Sequence, residues 1–175
     1  MTDFNKIKII FTDCDGVMTN NSIIYDNTDY EIKNFSARDG LGVKLWHLAG
    51  GYIAIITGRK SHALQRRVND LKIDYLKQQI VNKVKCAEEI LNELNLDFSN
   101  AAFIGDDFND LLLLKKVAFS ATPIDCAQGI SQHVDYVTTK PGGRGALREL
   151  IDYILQKQNK HDKVIQEFLT YLSNN

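Results

Sequence analysis

The chain has 175 residues, of which 44% are hydrophobic and 25% charged, with a formal net charge of −1. That length is enough for one domain with a core that needs no staples, and the near-neutral charge gives no reason to expect a nucleic acid or an acidic membrane surface as partner. Cys14, Cys86 and Cys126 are odd in number and lack CxxC spacing, so neither a disulfide framework nor a zinc site is indicated. No run is apolar and long enough to span a bilayer, and the N-terminus has no signal-peptide pattern, so a cytoplasmic location is expected.

The first element is a buried strand over 8–12 that runs into Asp13-Cys14-Asp15-Gly16-Val17. Strand side chains repeat every two residues, which places both carboxylates on one side. Open α/β sheets carry their chemistry at the carboxyl ends of strands. An acid pair there serves a metal, a covalent acyl-phosphate or general acid/base work, or else it caps the next turn. A calcium loop is rejected, because it needs oxygen ligands at positions 1, 3 and 5 and glycine at 6, whereas glycine here is fourth. Cys14, between two acids, reads as a small packing residue.

Two β-rich runs over 22–26 and 30–35 flank Asn27-Thr28-Asp29 and read as a hairpin rising over the acid pair as a flap. A lone hairpin is marginal in water and this one is apolar on both faces, so another subunit is expected to cover it. Helices over 41–48, 61–71, 83–94, 111–115 and 145–158 then alternate with strands over 52–56, 101–104, 117–120 and 136–137. Nearly continuous apolar strands alternating with helices imply a Rossmann-like α/β fold, a parallel sheet with helices on both faces. The whole of 1–175 reads as one domain, with the flap at 22–35 and a tail at 156–175. Residues 162–172 form an amphipathic stripe through Val164, Ile165, Phe168, Leu169 and Leu172, which docks on its own domain or on a neighbour.

Three further pieces sit at strand ends. Thr57-Gly58-Arg59 combines a hydroxyl, a glycine and a helix start in an anion-holding turn. Lys83 opens a helix, and Gly105-Asp106-Asp107-Phe108-Asn109-Asp110 follows a short apolar strand. Each has a plain structural reading: a common turn, a solvated lysine, a helix N-cap. Together they bring carboxylates, a hydroxyl and an ammonium to one sheet edge.

In order and spacing, DxDGV, TGR, the helix-opening lysine and GDDxxD resemble the four motifs of the haloacid dehalogenase-like phosphatase superfamily, over nearly the whole chain. The resemblance implies that Asp13 attacks phosphorus and that Asp15 protonates the leaving oxygen and then activates water. It implies Mg²⁺ bound by Asp13, the Asp15 backbone carbonyl and Asp106, with Asp107 and Asp110 orienting its shell. Lys83 and Thr57 would hold the phosphoryl oxygens. Residues 16–56 and 84–105 leave no room for a cap domain, so the fold is expected to be uncapped and its site closed by assembly.

Asn34-Phe35-Ser36-Ala37-Arg38-Asp39-Gly40, Ile55-Ile56-Thr57-Gly58-Arg59, the stretch 134–138 and Gly142-Gly143-Arg144-Gly145-Ala146 are similar to one branch, the 3-deoxy-D-manno-octulosonate 8-phosphate phosphatases. That likeness implies homotetramers whose hairpins meet around a centre and whose neighbours complete each site. It implies an eight-carbon sugar-acid phosphate as substrate, within lipopolysaccharide precursor synthesis. Asp15, Ser36, Ala37, Arg38, Asp39, Gly40, Lys44, Gly58, Arg59, Arg67, Lys83 and Asn109 fall on substrate-contact positions, and Arg144 is a candidate for reaching a neighbour. The family more often carries Arg at position 44 and Gly at position 79, where this chain has Lys44 and Gln79. Three rival readings stay open: a nine-carbon ulosonic acid phosphatase, a phospho-accepting receiver domain, and a non-catalytic scaffold.

Overall fold

The computed structural model describes residues 2–28 and 30–174; Asp29 of the proposed hairpin turn lies outside them. The strands are β1 (Ile9–Thr12), β2 (Ile24–Tyr25), β3 (Glu31–Ile32), β4 (Tyr52–Ile56), β5 (Tyr75–Lys77), β6 (Ala101–Ile104), β7 (Phe119–Thr122) and β8 (Tyr136–Val137). The helices are α1 (Ala37–Leu48), α2 (His62–Leu71), α3 (Lys83–Glu93), α4 (Leu111–Leu114), α5 (Ala146–Lys157) and α6 (His161–Ser173). Six strands make a sheet in the order β5-β4-β1-β6-β7-β8, and every neighbouring pair is parallel. The chain leaves β1 toward β4 and returns on its other side through β6, so the end of β1 is the switch point where such sheets open a crevice.

Burial explains the continuous apolar runs. Ile10, Ile53 and Ile55 face one core with Trp46, Leu64, Leu150 and Ile154, while Ile9, Phe11, Ala54 and Ile56 face a second with Ala87, Ile90 and Leu113. Alternate residues serve opposite faces, so both sets of positions are mostly apolar, with Thr12 in β1 and Ser120 and Thr122 in β7 as buried exceptions. Trp46 is buried, donates its indole N–H to the Tyr52 carbonyl at 2.9 Å, and lies so close to Gly51 that a Cβ there would sit 2.2 Å from its ring. Trp46→Ala is expected to cost about 3–5 kcal/mol, read from urea unfolding; a loss under about 1 kcal/mol would mean that the core collapses around the gap.

Helix α1, strand β7 and strand β5 are among the elements that depart from the sequence expectation, each for a local reason. Helix α1 begins at Ala37 rather than 41, because Ser36 caps it by accepting from the Arg38 N–H. Gly40 and Gly42 disguise that first turn; side chains there would press on the Arg67 guanidinium at 2.8 Å and the Arg148 Cα at 3.2 Å. Strand β7 starts two residues late, since the N–H groups of Lys116 and Val117 still bond to the Leu113 carbonyl. Strand β5 has no counterpart in the sequence expectation: three half-buried residues at a sheet edge are too few to show a period.

The tail packs on its own chain. Val164 is buried in the first core, Ile165 and Phe168 lie against it, and Lys44 sits 3.9 Å from the Tyr171 ring centroid. Among the described residues no helix is long and apolar enough to cross a membrane.

Candidate active site

Asp13 extends the line of β1, its N–H donating to the Ile104 carbonyl at 3.0 Å. The strand has ended there, so Asp15 reaches the same cleft through a turn and not through strand alternation. The Cys14 carbonyl closes this turn by accepting from Met18 and Thr19. Gly16 adopts φ +86°, and a Cβ on it would lie 2.0 Å from Asp106 Oδ2, so only glycine admits the second acid cluster against the loop. Cys14 is fully buried and its thiol is pushed well above the ordinary range by burial and by Asp15, as a packing residue should be.

Lys83 is no solvated lysine. Only 3% exposed, it donates to Asp110 Oδ1 at 2.6 Å and stands 3.1 Å from Asp13 Oδ1. The second contact is an ion pair without hydrogen-bond geometry, and Asp13 Oδ1 accepts no hydrogen bond among the described residues. Carboxylate oxygens of Asp13, Asp106 and Asp110 lie within 4.8 Å of one another, all buried. Burial, then the charge of Asp110, pushes Asp13 up to about 6 against the pull of Lys83. Burial and the charges of Asp13, Asp110 and Asp107 push Asp106 up to about 8. Burial alone would lower Lys83, but Asp13 and Asp110 outweigh it and hold the ammonium above its usual range.

Three buried carboxylates against one ammonium leave negative charge that needs protons or a cation. An orphaned carboxylate oxygen and an all-oxygen donor set fit a hard divalent ion such as magnesium. Asp110 belongs to the cluster itself, and it also accepts from the Asp106 N–H at 3.0 Å. Asp107 stays at the rim, where it accepts from the Phe108 N–H at 2.6 Å.

A cleft of about 130 Å³ is lined by Asp13, Asp15, Thr57, Gly58, Arg59, Asp106, Asp107 and Asn109, all singled out from sequence, together with Asn21. The Thr57 hydroxyl accepts from the Arg59 N–H at 3.3 Å, which shapes the turn. A Cβ on Gly58 would meet nothing nearer than the Ile80 carbonyl at 3.7 Å. The remaining substrate candidates lie outside this chain's own cleft. Ser36 and Ala37 open α1; Asp39 is buried and accepts from the Arg148 N–H at 2.9 Å, tying α1 to α5. Gly40 lies under Arg67, which donates to the Ser36 carbonyl at 3.0 Å. Lys44 is covered by Phe168 and Tyr171, while Arg38 and Arg144 share a separate groove beside α5.

Sequence reasoning missed Lys33 and Glu31. Lys33 Nζ donates to Asp15 Oδ1, and Glu31 Oε1 accepts from Arg59 Nη2 at 2.7 Å. In the sequence they stand only as two charges within a β-rich run, with nothing local to show that they face the site.

A family model described as haloacid dehalogenase-like hydrolase matches residues 75–150. Over 163 residues the chain is 36% identical to the 3-deoxy-D-manno-octulosonate 8-phosphate phosphatase of Salmonella typhi, covering 93% of this chain and 87% of that protein. The chain belongs to this phosphatase family. The family's protein from Haemophilus influenzae is likewise 36% identical over 155 residues, covering 89% of this chain and 86% of that one. The crystal structure from Moraxella catarrhalis, in complex with magnesium, phosphate and a KDO molecule, superposes with a TM-score of 0.91 at 34% identity, covering 94% of this chain and 95% of that one. A cobalt-bound structure from Haemophilus influenzae gives 0.86 at 35% identity, covering 90% and 92%. Family membership removes the receiver-domain reading. Gln79 adopts φ +58°, a left-handed backbone that glycine takes more readily than glutamine.

Proposed function

We propose that this family member hydrolyses 3-deoxy-D-manno-octulosonate 8-phosphate to the free sugar acid and inorganic phosphate, in lipopolysaccharide precursor synthesis. The observation that carries the reading is the buried Asp13 at the switch point, facing Lys83 and the Asp106–Asp110 pair, in a chain whose relatives bear that activity. Asp13 attacks phosphorus as the bond from phosphorus to the sugar oxygen breaks, and Asp15 gives that oxygen its proton. Water then attacks the aspartyl-phosphate while Asp15 takes its proton back, which frees Asp13 and phosphate. A sugar alkoxide leaves badly, so the proton donor matters. Lys83 and Thr57 hold the phosphoryl oxygens. Asp13, Asp106 and the Asp15 backbone carbonyl would hold Mg²⁺, with Asp110 and Asp107 supporting it; the ion supplies charge compensation for the phosphoryl group. Chelation is expected to stop phosphate release and added magnesium to restore it; a rate indifferent to chelator would remove Asp106 from its role.

Gly58, Arg59 and Asn109 are assigned to the substrate in their own cleft. Asp39, buried against Arg148, supports the start of α1 from within. Ser36, Ala37, Arg38, Gly40, Lys44 and Arg67 are assigned to a neighbour's site, a reading supported by their place outside the cleft and by the exposed Ile23, Ile24, Tyr25, Tyr30 and Ile32 of the flap. Arg144 joins them as a second-rank candidate. The unit is one haloacid dehalogenase-like domain over 1–175, cytoplasmic, assembled as a homotetramer. The test is a phosphate-release screen over sugar phosphates, including nine-carbon ulosonic acid phosphates, run with size measurement in solution. Preference for the eight-carbon substrate by a tetramer is expected. Preference for a nine-carbon substrate would overturn the substrate, and an active monomer would overturn the shared site.

A further inference from the structure

Two charged residues at the base of the flap, Lys33 and Glu31, have no part in the roles above. Lys33 Nζ donates to Asp15 Oδ1 and lies 3.3 Å from Glu31 Oε1, and the Lys33 side chain is only 1% exposed. Glu31 Oε1 also accepts from Arg59 Nη2 at 2.7 Å, while Arg59 Nε lies 3.7 Å from Asp15 Oδ2. Asp15, Lys33, Glu31 and Arg59 thus close a ring across the mouth of the cleft.

This arrangement is costly for a flap whose only task is assembly. A surface-hairpin lysine ordinarily keeps its ammonium in water, and a buried one must be repaid by its partners. Here the partner is the carboxylate that the phosphatase reading, on which this inference rests, makes the proton carrier. We propose that Lys33 is a positioning residue for proton transfer. It holds Asp15 Oδ1, which also accepts from the Thr19 hydroxyl at 3.4 Å, and so fixes the direction of Oδ2, which faces Arg59 Nε at 3.7 Å. Oδ2–H gives its proton to the sugar oxygen as the phosphorus–oxygen bond breaks. In the second step Oδ2 takes one proton from the water whose oxygen bonds to phosphorus, which restores the carboxylic acid. Glu31 links Lys33 to Arg59, so the flap seats the proton donor and the substrate-facing arginine together.

The test compares leaving groups. The ratio kcat/KM covers only the steps up to departure of the alcohol, so it isolates proton donation from the later attack of water. Lys33→Met is expected to lose on the order of 10²-fold in kcat/KM on the sugar phosphate, within the range of a lost general acid. On p-nitrophenyl phosphate, whose leaving group needs no proton, the loss should stay under about 5-fold on the same principle. Lys33→Arg should recover most of the activity. Equal losses on both substrates would reduce Lys33 to a structural strut, and no loss on the sugar phosphate would remove it altogether; either result overturns the proposal. If Lys33→Met disorders the flap, Lys33→Gln, which keeps a shorter donor without the charge, is expected to lose less on the sugar phosphate but still more than on p-nitrophenyl phosphate, and equal losses on the two substrates would again overturn the proposal. A wild-type protein that releases phosphate from neither substrate would instead strike the phosphatase reading.

Discussion

Asp13→Asn abolishes phosphate release, by on the order of 10⁴-fold or more, because it removes the atom that bonds to phosphorus and leaves no substitute nucleophile. The same substitution leaves the fold intact. Asp13 is buried at the end of β1 and crowded by Asp106 and Asp110, and burial together with that crowding already pushes its carboxyl up to about 6. An amide of the same shape relieves that repulsion. Lys83 keeps its 2.6 Å hydrogen bond to Asp110, so no buried ammonium is stranded. In metal-free buffer the variant is therefore expected to melt at or above the wild-type temperature. Phosphate release and a thermal melt on the same sample check both halves. Substantial residual turnover would refute the nucleophile, and a collapsed melt would show that the Asp13–Lys83 pair holds the sheet edge together.

Metal-free protein loses stability as pH rises from about 5 to about 9, and magnesium reverses that loss. The sign follows from proton counting. In the unfolded chain Asp13 and Asp106 have the ordinary value 3.8 and are ionised by pH 5, whereas the folded protein holds these protons up to about 6 and about 8. Between those limits the folded state binds more protons, so its stability falls with rising pH. Lys83 is held above its usual range by Asp13 and Asp110, so its contribution survives across this window. Magnesium needs ionised carboxylates and binds only the folded cluster, so its stabilisation grows with pH. Asp39, which burial also pushes up to about 6, lies away from the cluster, and its share persists with metal present. Melting temperatures with chelator and with magnesium at pH 5.5 and 8.5 test this. A magnesium increment equal at both pH values would mean that Asp13 and Asp106 do not hold the ion.

The chemistry was legible because its residues are written in short windows. Asp13 with Asp15, Thr57 through Arg59, Lys83, and Asp106 through Asp110 each follow a strand or open a helix, and a parallel sheet gathers strand ends without further instruction. Strands buried on both faces are equally local. The flap lysine was not legible, because nothing in Glu31-Ile32-Lys33 tells which way a two-residue strand turns its charges. Nor could the stripe on 162–172 name the surface it covers.

Sequence by itself determined five of the sheet's six strands, the order of the helices between them and the acid, hydroxyl and ammonium set at one edge, since burial and backbone hydrogen bonding depend on neighbours a few positions apart. Tertiary structure alone decided that Asp110 enters the carboxylate cluster, that Lys33 grips Asp15, and that α6 closes over Lys44. Those contacts join residues distant along the chain, and their pairing is set by the packing of whole elements, which no local window encodes.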